Sequence, residues 1–226
     1  DHGPAFLVNK SGEEPKKIIV DWGFNAWGGK YPPFELDDVI PTKIAEEKGL
    51  PVLYPGIIME GGSVEFNGAG TVLTSKSCLL NENRNPHLSQ EEVEEYLKKY
   101  YGQKQVLWVD DGIVGDDTDG HVDDTIRFVN EDTVLTVIED NKEDDNYEIL
   151  QTNLRQLKEM KLLDGRSLKI IELPMPDPVY CDGQRLPASY ANFYIANKSV
   201  IVPTYNCEKD QIALDIIQKC FPEREV

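Results

Sequence analysis

Residues 115 to 124, GDDTDGHVDD, concentrate five aspartates and one histidine in ten positions. Such a segment could hold a metal ion, form a calcium loop, supply an acid or base for catalysis, or be a solvated acidic loop. The EF-hand pattern fails here. Placing Gly120 at its sixth position puts Gly115 at the first and Ile126 at the twelfth, where oxygen ligands are required.

His121 is the residue of this segment with the widest chemical use. In an extended segment Val122 would point away, which leaves His121 and Asp123 on one face. An imidazole can take and return a proton near pH 6.5, and a neighbouring carboxylate favours its charged form. A transition metal would need further histidines, and neither His2 nor His87 has helical or strand spacing to His121. The pair predicts acid/base chemistry without a metal, with an incidental histidine in a solvated loop as the alternative.

The elements that must position these residues recur along the chain. A hairpin, a helix and a strand follow one another from Gly3, from Gly61, from Gly120 and from Ser189, at spacings of 58, 59 and 69 residues. A period of this length is typical of repeat architectures. One ββαβ unit cannot bury both its sheet and its helix, so neighbouring units are expected to stack.

The second repeat of hairpin, helix and strand shows the pattern most clearly. GGSVEFNGAGTVLT reads as a hairpin, and SQEEVEEYLKKYYG as a helix that begins with a Ser89 and Glu92 capping box and ends at Gly102. The strand QVLWV follows. We therefore predict a single α/β domain over residues 1–226, with an ordinary mixed sheet as the alternative to stacked repeats. The predicted repeats span about residues 1–55, 56–110, 111–174 and 175–226.

Equivalent positions of stacked repeats converge on a common centre. DHGP precedes the first hairpin, MEGG the second and DGHV the third. Asp1, Glu60, His121 and Asp123 are then expected to line one negative pocket suited to a guanidinium, which pairs with carboxylates through two parallel hydrogen bonds. The alternative is that these glycines only serve tight turns.

The charge of the chain limits its partners. Forty-one acidic residues against twenty-three basic ones give a net charge of -18 among 226 residues. The electrostatic field of this net negative charge repels phosphate backbones and attracts cations, so we expect a cationic small molecule as partner rather than nucleic acid. No apolar run approaches the length of a membrane span, and DHGPAF lacks a signal-peptide core. We expect a cytoplasmic protein that does not contact membrane.

The four cysteines lie far apart and form no C-x-x-C pair, so reduced thiols are expected. Cys220 continues an apolar helical stripe and is expected in the core. Cys78 and Cys207 flank regular elements, which favours structural roles. Cys181, in the loop PVYCDGQRLP, is the cysteine for which a place near the site is most plausible.

DHGP, DWGFNAWGG, MEGGS, LLNENRNPH, TDGHVDD and LPASYANFYIAN follow in an order and spacing that resembles the agmatine deiminase and bacterial peptidyl-arginine deiminase family. The resemblance covers essentially the whole chain. It implies the pentein fold, a five-bladed α/β propeller with the site at its centre, of which about four ββαβ units lie in this chain.

The resemblance also implies the chemistry. Family members hydrolyse a guanidinium to a ureido group and ammonia through a cysteine-linked intermediate, without metal or cofactor. The catalytic set carries over onto Asp1, His121 and Asp123, with Glu60 as a supporting carboxylate that also belongs to the substrate-binding group. The nucleophilic cysteine does not carry over, because its glycine-rich His-Cys context is absent from this sequence.

Agmatine is the expected substrate, converted to N-carbamoylputrescine in putrescine biosynthesis. Peptidyl or free arginine is one alternative, and a truncated module that binds guanidinium without turnover is another. We expect the chain to be incomplete at both ends, with the nucleophile outside residues 1–226. A homo-oligomer is a possible state.

Overall fold

The computed structural model describes residues 2–226. Its strands are β1 (Ala5–Val8), β2 (Lys17–Val20), β3 (Val52–Leu53), β4 (Val64–Phe66), β5 (Thr71–Ser75), β6 (Gln105–Val109), β7 (Ile126–Phe128), β8 (Thr133–Ile138), β9 (Lys169–Pro174), β10 (Tyr180–Cys181), β11 (Gln184–Arg185), β12 (Tyr194–Ile195) and β13 (Val200–Ile201). Its helices are α1 (Ala26–Gly29), α2 (Glu35–Asp38), α3 (Ile40–Lys48), α4 (Lys76–Leu79), α5 (Gln90–Tyr101), α6 (Asn146–Glu159) and α7 (Lys209–Cys220). Gly61–Ser63 and Val122–Asp124 form 3-10 turns.

Three sheets have the same strand order, namely β1-β2-β3, β4-β5-β6 and β7-β8-β9. In each sheet the first two strands form an antiparallel hairpin, and the third strand runs parallel to the second. A parallel neighbour requires a crossover connection, which helices α3, α5 and α6 supply in turn. The predicted sequence of hairpin, helix and strand is therefore confirmed three times.

Helix α5 shows how local sequence sets its bounds. The Ser89 hydroxyl accepts a hydrogen bond from the Glu92 amide at 3.3 Å, and the Glu92 carboxylate accepts one from the Ser89 amide at 2.7 Å. Gly102 ends the helix in the left-handed conformation at φ 66°. Val93 and Leu97, four residues apart on one face of α5, are buried. No helix within residues 2–226 is long and apolar enough to cross a membrane.

The fourth repeat begins, like the other three, with a hairpin that is followed by a helix. Strands β12 and β13 form an antiparallel hairpin, and α7 follows. The Val200 amide then donates to the Glu225 carbonyl at 2.7 Å, and the Glu225 amide donates to the Lys198 carbonyl at 3.0 Å. Glu225 therefore lies alongside β13 in parallel, where the other three sheets have their third strand.

Buried apolar side chains form three clusters, and each cluster is shared by two successive repeats. Burial of this kind is the main stabilising contribution that stacking of incomplete units supplies. Representative members are Val20, Val72 and Leu97 in the first cluster, Leu73, Val134 and Leu157 in the second, and Leu135, Leu173, Tyr190 and Ile217 in the third.

The α/β class is confirmed by this architecture. The sheets stay separate, and none of those in the described part of the chain closes into a ring. The five-bladed propeller is therefore not shown by the sheets themselves.

Ser89→Ala should lower the free energy of unfolding by about 1 kcal/mol, because it removes the acceptor for the orphan Glu92 amide. Urea denaturation of the variant measures this loss. Ser11→Ala, in the exposed β1–β2 turn, is the control and should cost less than about 0.5 kcal/mol. Equal losses in the two variants would remove the capping box as the origin of the α5 boundary.

Candidate active site

A cavity of about 960 Å³ opens where the loops that precede the hairpins meet. Gly3 precedes β1, Gly62 precedes β4, His121 precedes β7 and Asn192 precedes β12, and all four line the cavity. The structure thus brings together positions that are equivalent along the chain. Asp1, the remaining predicted site residue at this centre, lies outside the described residues.

The local conformation at His121 differs from the extended one predicted. Val122–Asp124 form a 3-10 turn, and His121 is the residue immediately before it. The Asp116 carboxylate holds the backbone just before this turn, because it accepts hydrogen bonds from the backbone amides of Gly120, at 2.9 Å, and His121, at 3.0 Å. Val122 points into the core and is fully buried. Period-two alternation is therefore not the reason that His121 and Asp123 face the same cavity.

The backbone of Gly62 lies against the side chains of His121 and Asp123. A Cβ atom at this position would sit 2.4 Å from His121 Nδ1 and 2.8 Å from Asp123 Oδ2. No side chain fits there without displacing them. The MEGG turn therefore needs glycine at position 62 for the close approach of the imidazole and the carboxylate.

Glu60 lies behind His121 and has no exposed surface. Its Oε2 is 3.7 Å from His121 Nε2, and its Oε1 accepts a 2.6 Å hydrogen bond from Arg84 Nε. Burial alone would raise the pKa of Glu60, but the contacts with His121 and Arg84 lower it overall. Glu60 is therefore a carboxylate under the imidazole rather than part of the cavity wall.

The imidazole of His121 is 4% exposed. Burial acts to lower its pKa, but Glu60, Asp123 and Asp116 together raise it above the ordinary value of 6.5. His121 is therefore stabilised in its protonated form while it still borders the cavity. Such a group can donate a proton to a leaving group and accept one from water.

Asp123 and Asp124 place two carboxyl groups on the cavity wall. Asp123 Oδ1 is buried and has no hydrogen-bond partner among the described residues. Burial raises the pKa of Asp123, and burial together with Asp123 raises the pKa of Asp124 to about 7. Asp124 Oδ1 accepts a 2.7 Å hydrogen bond from Asn192. A cation that enters the cavity would meet an acceptor at Asp123 and would relieve the cost of its buried charge.

Two residues that sequence reasoning did not assign to the site hold it together. Arg84 belongs to NENRNP, a stretch rich in turn residues, yet its side chain has no exposed surface. Asp116 was one of five aspartates in an acidic segment, yet it organises the backbone of His121. NENRNP itself carries no signal for this pairing, because Glu60 lies 24 residues away in the chain.

None of the four cysteines lines the cavity. Cys78 is fully buried behind Glu60, and burial raises the pKa of its thiol well above the ordinary value. Cys207 contacts the hydroxyl of Tyr190 at 3.2 Å. Cys181 is exposed in β10, so the position near the site that was considered for it is not observed.

Glu60, Cys78 and His121 could in principle offer three ligand atoms to a metal ion, since these atoms lie within 4.8 Å of one another. The Arg84 guanidinium already neutralises Glu60 at 2.6 Å and adds a positive charge at that point. A divalent cation would have to overcome this repulsion, and the donor set therefore does not fit a resident metal well.

The fold and the cavity define an α/β protein of repeated units with an acidic central site. The model of the Porphyromonas-type peptidyl-arginine deiminase family matches residues 1–226. The chain belongs to that family.

Relatives agree with this placement. The agmatine deiminase of Pseudomonas aeruginosa (strain LESB58) is 39% identical over 249 residues, which cover 100% of this chain and 67% of the relative. A Legionella pneumophila relative is 41% identical over 227 residues. The match covers 64% of that relative, so the chain spans somewhat less than two thirds of its length.

Solved structures give the same result. The agmatine deiminase of Enterococcus faecalis superposes with a TM-score of 0.91 at 37% identity, covering 100% of this chain and 67% of that one. A C. jejuni agmatine deiminase with substrate bound superposes with a TM-score of 0.85 at 39% identity, covering 92% of this chain and 61% of that one.

Gly62→Ala should displace His121 and Asp123 while leaving the core intact, because the added methyl group overlaps both side chains. The measurement is the imidazole resonance of His121 in a histidine-labelled sample, which should shift or broaden. Gly61→Ala is a matched control, since a Cβ there meets nothing within 4 Å. Identical His121 spectra in both variants would show that the close approach at Gly62 does not constrain the site.

Asp124→Asn should change how stability depends on pH. The pKa of Asp124 is about 7 in the folded state, against 3.8 for an unperturbed aspartate, so the folded state binds more protons between these values. The free energy of unfolding should therefore fall as the pH rises through this window. Asp124→Asn should remove part of this pH dependence, which amounts to a change in the free energy of unfolding on the order of 1–4 kcal/mol over the whole window.

Urea denaturation from about pH 5 to about pH 8 measures the slope. Asp140→Asn, at an exposed position, is the control and should keep the wild-type pH dependence. An unchanged slope in Asp124→Asn would mean that this carboxyl group does not titrate in the window.

Proposed function

We propose that this chain forms the guanidinium-binding core of an agmatine deiminase, which hydrolyses agmatine to N-carbamoylputrescine and ammonia. The observation that carries the proposal is the pairing of His121 and Asp123 over Gly62 on the wall of an acidic cavity. Asp123 has a carboxylate oxygen with no hydrogen-bond partner among the described residues, and such a group suits the planar fork of a guanidinium. The names of the relatives and the family support the same reaction class.

The proposed roles follow from the positions. Asp123, together with Asp1, holds the guanidinium nitrogens. His121 donates a proton to the departing ammonia after a thiolate has attacked the guanidinium carbon, and then activates water that releases the ureido product. Glu60 contacts the imidazole from behind, so we propose that it orients His121 and stabilises its charge instead of touching substrate.

The nucleophile of this reaction is proposed to lie outside residues 1–226, as the family resemblance implies. None of the four cysteines of the chain reaches the cavity. The C. jejuni structure with substrate bound carries a cysteine-to-serine substitution, which is consistent with a thiol acting on the substrate in that protein. In the same proposal, the three full sheets and the β12–β13 hairpin belong to a five-bladed propeller.

Agmatine is preferred to arginine because of the charge of the cavity. Arginine carries an α-carboxylate, for which a cation would be useful, whereas agmatine carries an ammonium instead. None of the described residues that line the cavity is a lysine or an arginine. Arg127 pairs with Glu65, and Arg185 pairs with Asp144, so neither is directed at a substrate carboxylate.

A second function is favoured by the cysteine positions. Residues 1–226 alone would bind guanidinium without turning it over, because no thiol borders the cavity. The intact mass of the natural protein separates the two functions. A mass near 25.6 kDa favours the binding module, and a mass larger by about 100 residues favours the enzyme.

The product of the complete gene should form ureido product from agmatine with a higher kcat/KM than from L-arginine. His121→Asn should lower kcat by about 100 to 10,000-fold, the usual contribution of a positioned acid/base group. His87→Asn, which changes an exposed histidine away from the cavity, is the matched control and should retain wild-type turnover.

Asp123→Asn should lower kcat/KM for agmatine while the protein stays folded, since it neutralises the proposed guanidinium acceptor. Wild-type kinetics in both His121→Asn and Asp123→Asn would remove these residues from the reaction. A preference for arginine would overturn the substrate assignment and leave the reaction class in place.

A further inference from the structure

The guanidinium of Arg84 is completely buried and uses all of its nitrogens. Nε donates to Glu60 Oε1 at 2.6 Å. Nη1 donates to Asp119 Oδ2 at 2.8 Å and to Asn83 Oδ1 at 2.6 Å, and Nη2 donates to the Thr118 carbonyl at 2.9 Å. Arg84 therefore joins the carboxylate that lies under His121 to the segment that leads into His121.

Asp119 is held firmly at the other end of this arrangement. Its Oδ1 accepts a 2.6 Å hydrogen bond from Lys30, and its Oδ2 also accepts a 2.8 Å hydrogen bond from Asn83. Its backbone adopts the left-handed region at φ 68°, which is costly for a residue other than glycine. Paired hydrogen bonds of this kind are what keep such a conformation populated.

Glu60 transmits the effect of Arg84 to the imidazole. One carboxylate oxygen binds Arg84, and the other faces His121 Nε2 and the Cys78 thiol, each at 3.7 Å. Because Arg84 holds the first oxygen, the second oxygen keeps one position relative to His121. Without Arg84, Glu60 would be a buried carboxylate paired with the histidine alone.

Among the described residues, Arg84 is the only lysine or arginine that pairs with Glu60, whereas Lys30 pairs with Asp119 at the far end of the arrangement. The carboxyl groups that act on His121 come from Glu60, Asp116 and Asp123. The titratable and charged groups in the surroundings of His121 are Glu60, Cys78, Arg84, Asp116, Asp119 and its partner Lys30, together with His2, Asp117, Asp123, Asp124 and Tyr205 on the cavity wall. Carboxyl groups predominate in this set, so the charge of Arg84 carries weight.

We propose that Arg84 is a positioning residue for the reaction, which fixes Glu60 and the residue 118–119 backbone together and thereby sets the orientation and the charge of His121. The expected effect of Arg84 on turnover rests on the proposed deiminase function. Its effect on His121 does not, because that effect is measurable in the chain itself without turnover.

Nuclear magnetic resonance reads His121 directly, because the chain has only three histidines. The imidazole signals of a histidine-labelled sample are assigned by the signal that His121→Gln removes, and each signal is followed as a function of pH. In the wild type the pKa of His121 should lie above 6.5, since Glu60, Asp123 and Asp116 outweigh the effect of burial.

Arg84→Gln should raise the pKa of His121 further, because removing a cation beside the Glu60 and His121 pair increases the affinity of the pair for a proton. Arg84→Lys keeps the charge and loses the fork, so the pKa should stay near the wild-type value. Arg185→Gln is the matched control, since Arg185 forms a similarly enclosed ion pair with Asp144 at 2.9 Å. It should reduce stability and leave the His121 titration unchanged.

In the product of the complete gene, Arg84→Lys should lower kcat by up to about 100-fold with a smaller change in KM, the size that misplacement of a catalytic group produces. In Arg84→Gln, the high-pH limb of the kcat/KM profile should move to higher pH together with the pKa of His121. Arg185→Gln should keep the wild-type profile.

A merely structural role predicts another pattern, in which Arg84→Gln and Arg185→Gln lose similar stability and neither moves the His121 titration. That pattern would overturn the proposal.

If Arg84→Gln does not fold, Arg84→Lys still decides, because wild-type kcat in a folded Arg84→Lys protein would contradict positioning. If the gene product has no deiminase activity, the proposed function fails, and the His121 titration still tests the role of Arg84.

Discussion

A carboxylate that is removed completely from water stays ionised only if a positive charge or strong hydrogen bonds accompany it. In this protein that carboxylate is Glu60, which Arg84 pairs at 2.6 Å and which contacts His121 at 3.7 Å on its other side. The three groups come from three different segments of the chain. Their pairing therefore requires the MEGG turn, the NENRNP turn and the GDDTDGHVDD segment to meet, and the repeated sheets are what bring them together.

Close approach at the centre depends on small residues as much as on charge. Gly62 lets the MEGG turn lie against His121 and Asp123, and Gly120, at φ 101°, has no room for a Cβ beside the Ser77 hydroxyl. Around these contacts the cavity wall is acidic and contains no lysine or arginine among the described residues. The net charge of -18 is thus not only a property of the surface, because part of it is concentrated where a cation would bind.

Most of the fold could be predicted from the sequence because its signals are local. The glycine-containing turn between β4 and β5, the capping box at Ser89 and the glycine after α5 each depend on residues close in the chain. The equivalent positions of the glycines before each hairpin also predicted that Glu60 and His121 would meet. These signals recur, and recurrence is what makes a repeat visible in one sequence.

The parts that could not be predicted depend on contacts between distant residues. Val122–Asp124 form a 3-10 turn, and Asp116 binds the amides just before it, so the extended conformation expected from H-V-D was wrong. Arg84 stands among turn residues in the sequence, and only the packed structure shows that Glu60 and Asp119 surround it.

The most direct test of this account is a crystal structure of the chain grown with agmatine. The account predicts the guanidinium within hydrogen-bond distance of Asp123 and beside the imidazole of His121, in the cavity that Gly62 borders. Agmatine bound only elsewhere, for example in the acidic groove along α5 that Glu91 and Glu95 line, would contradict it.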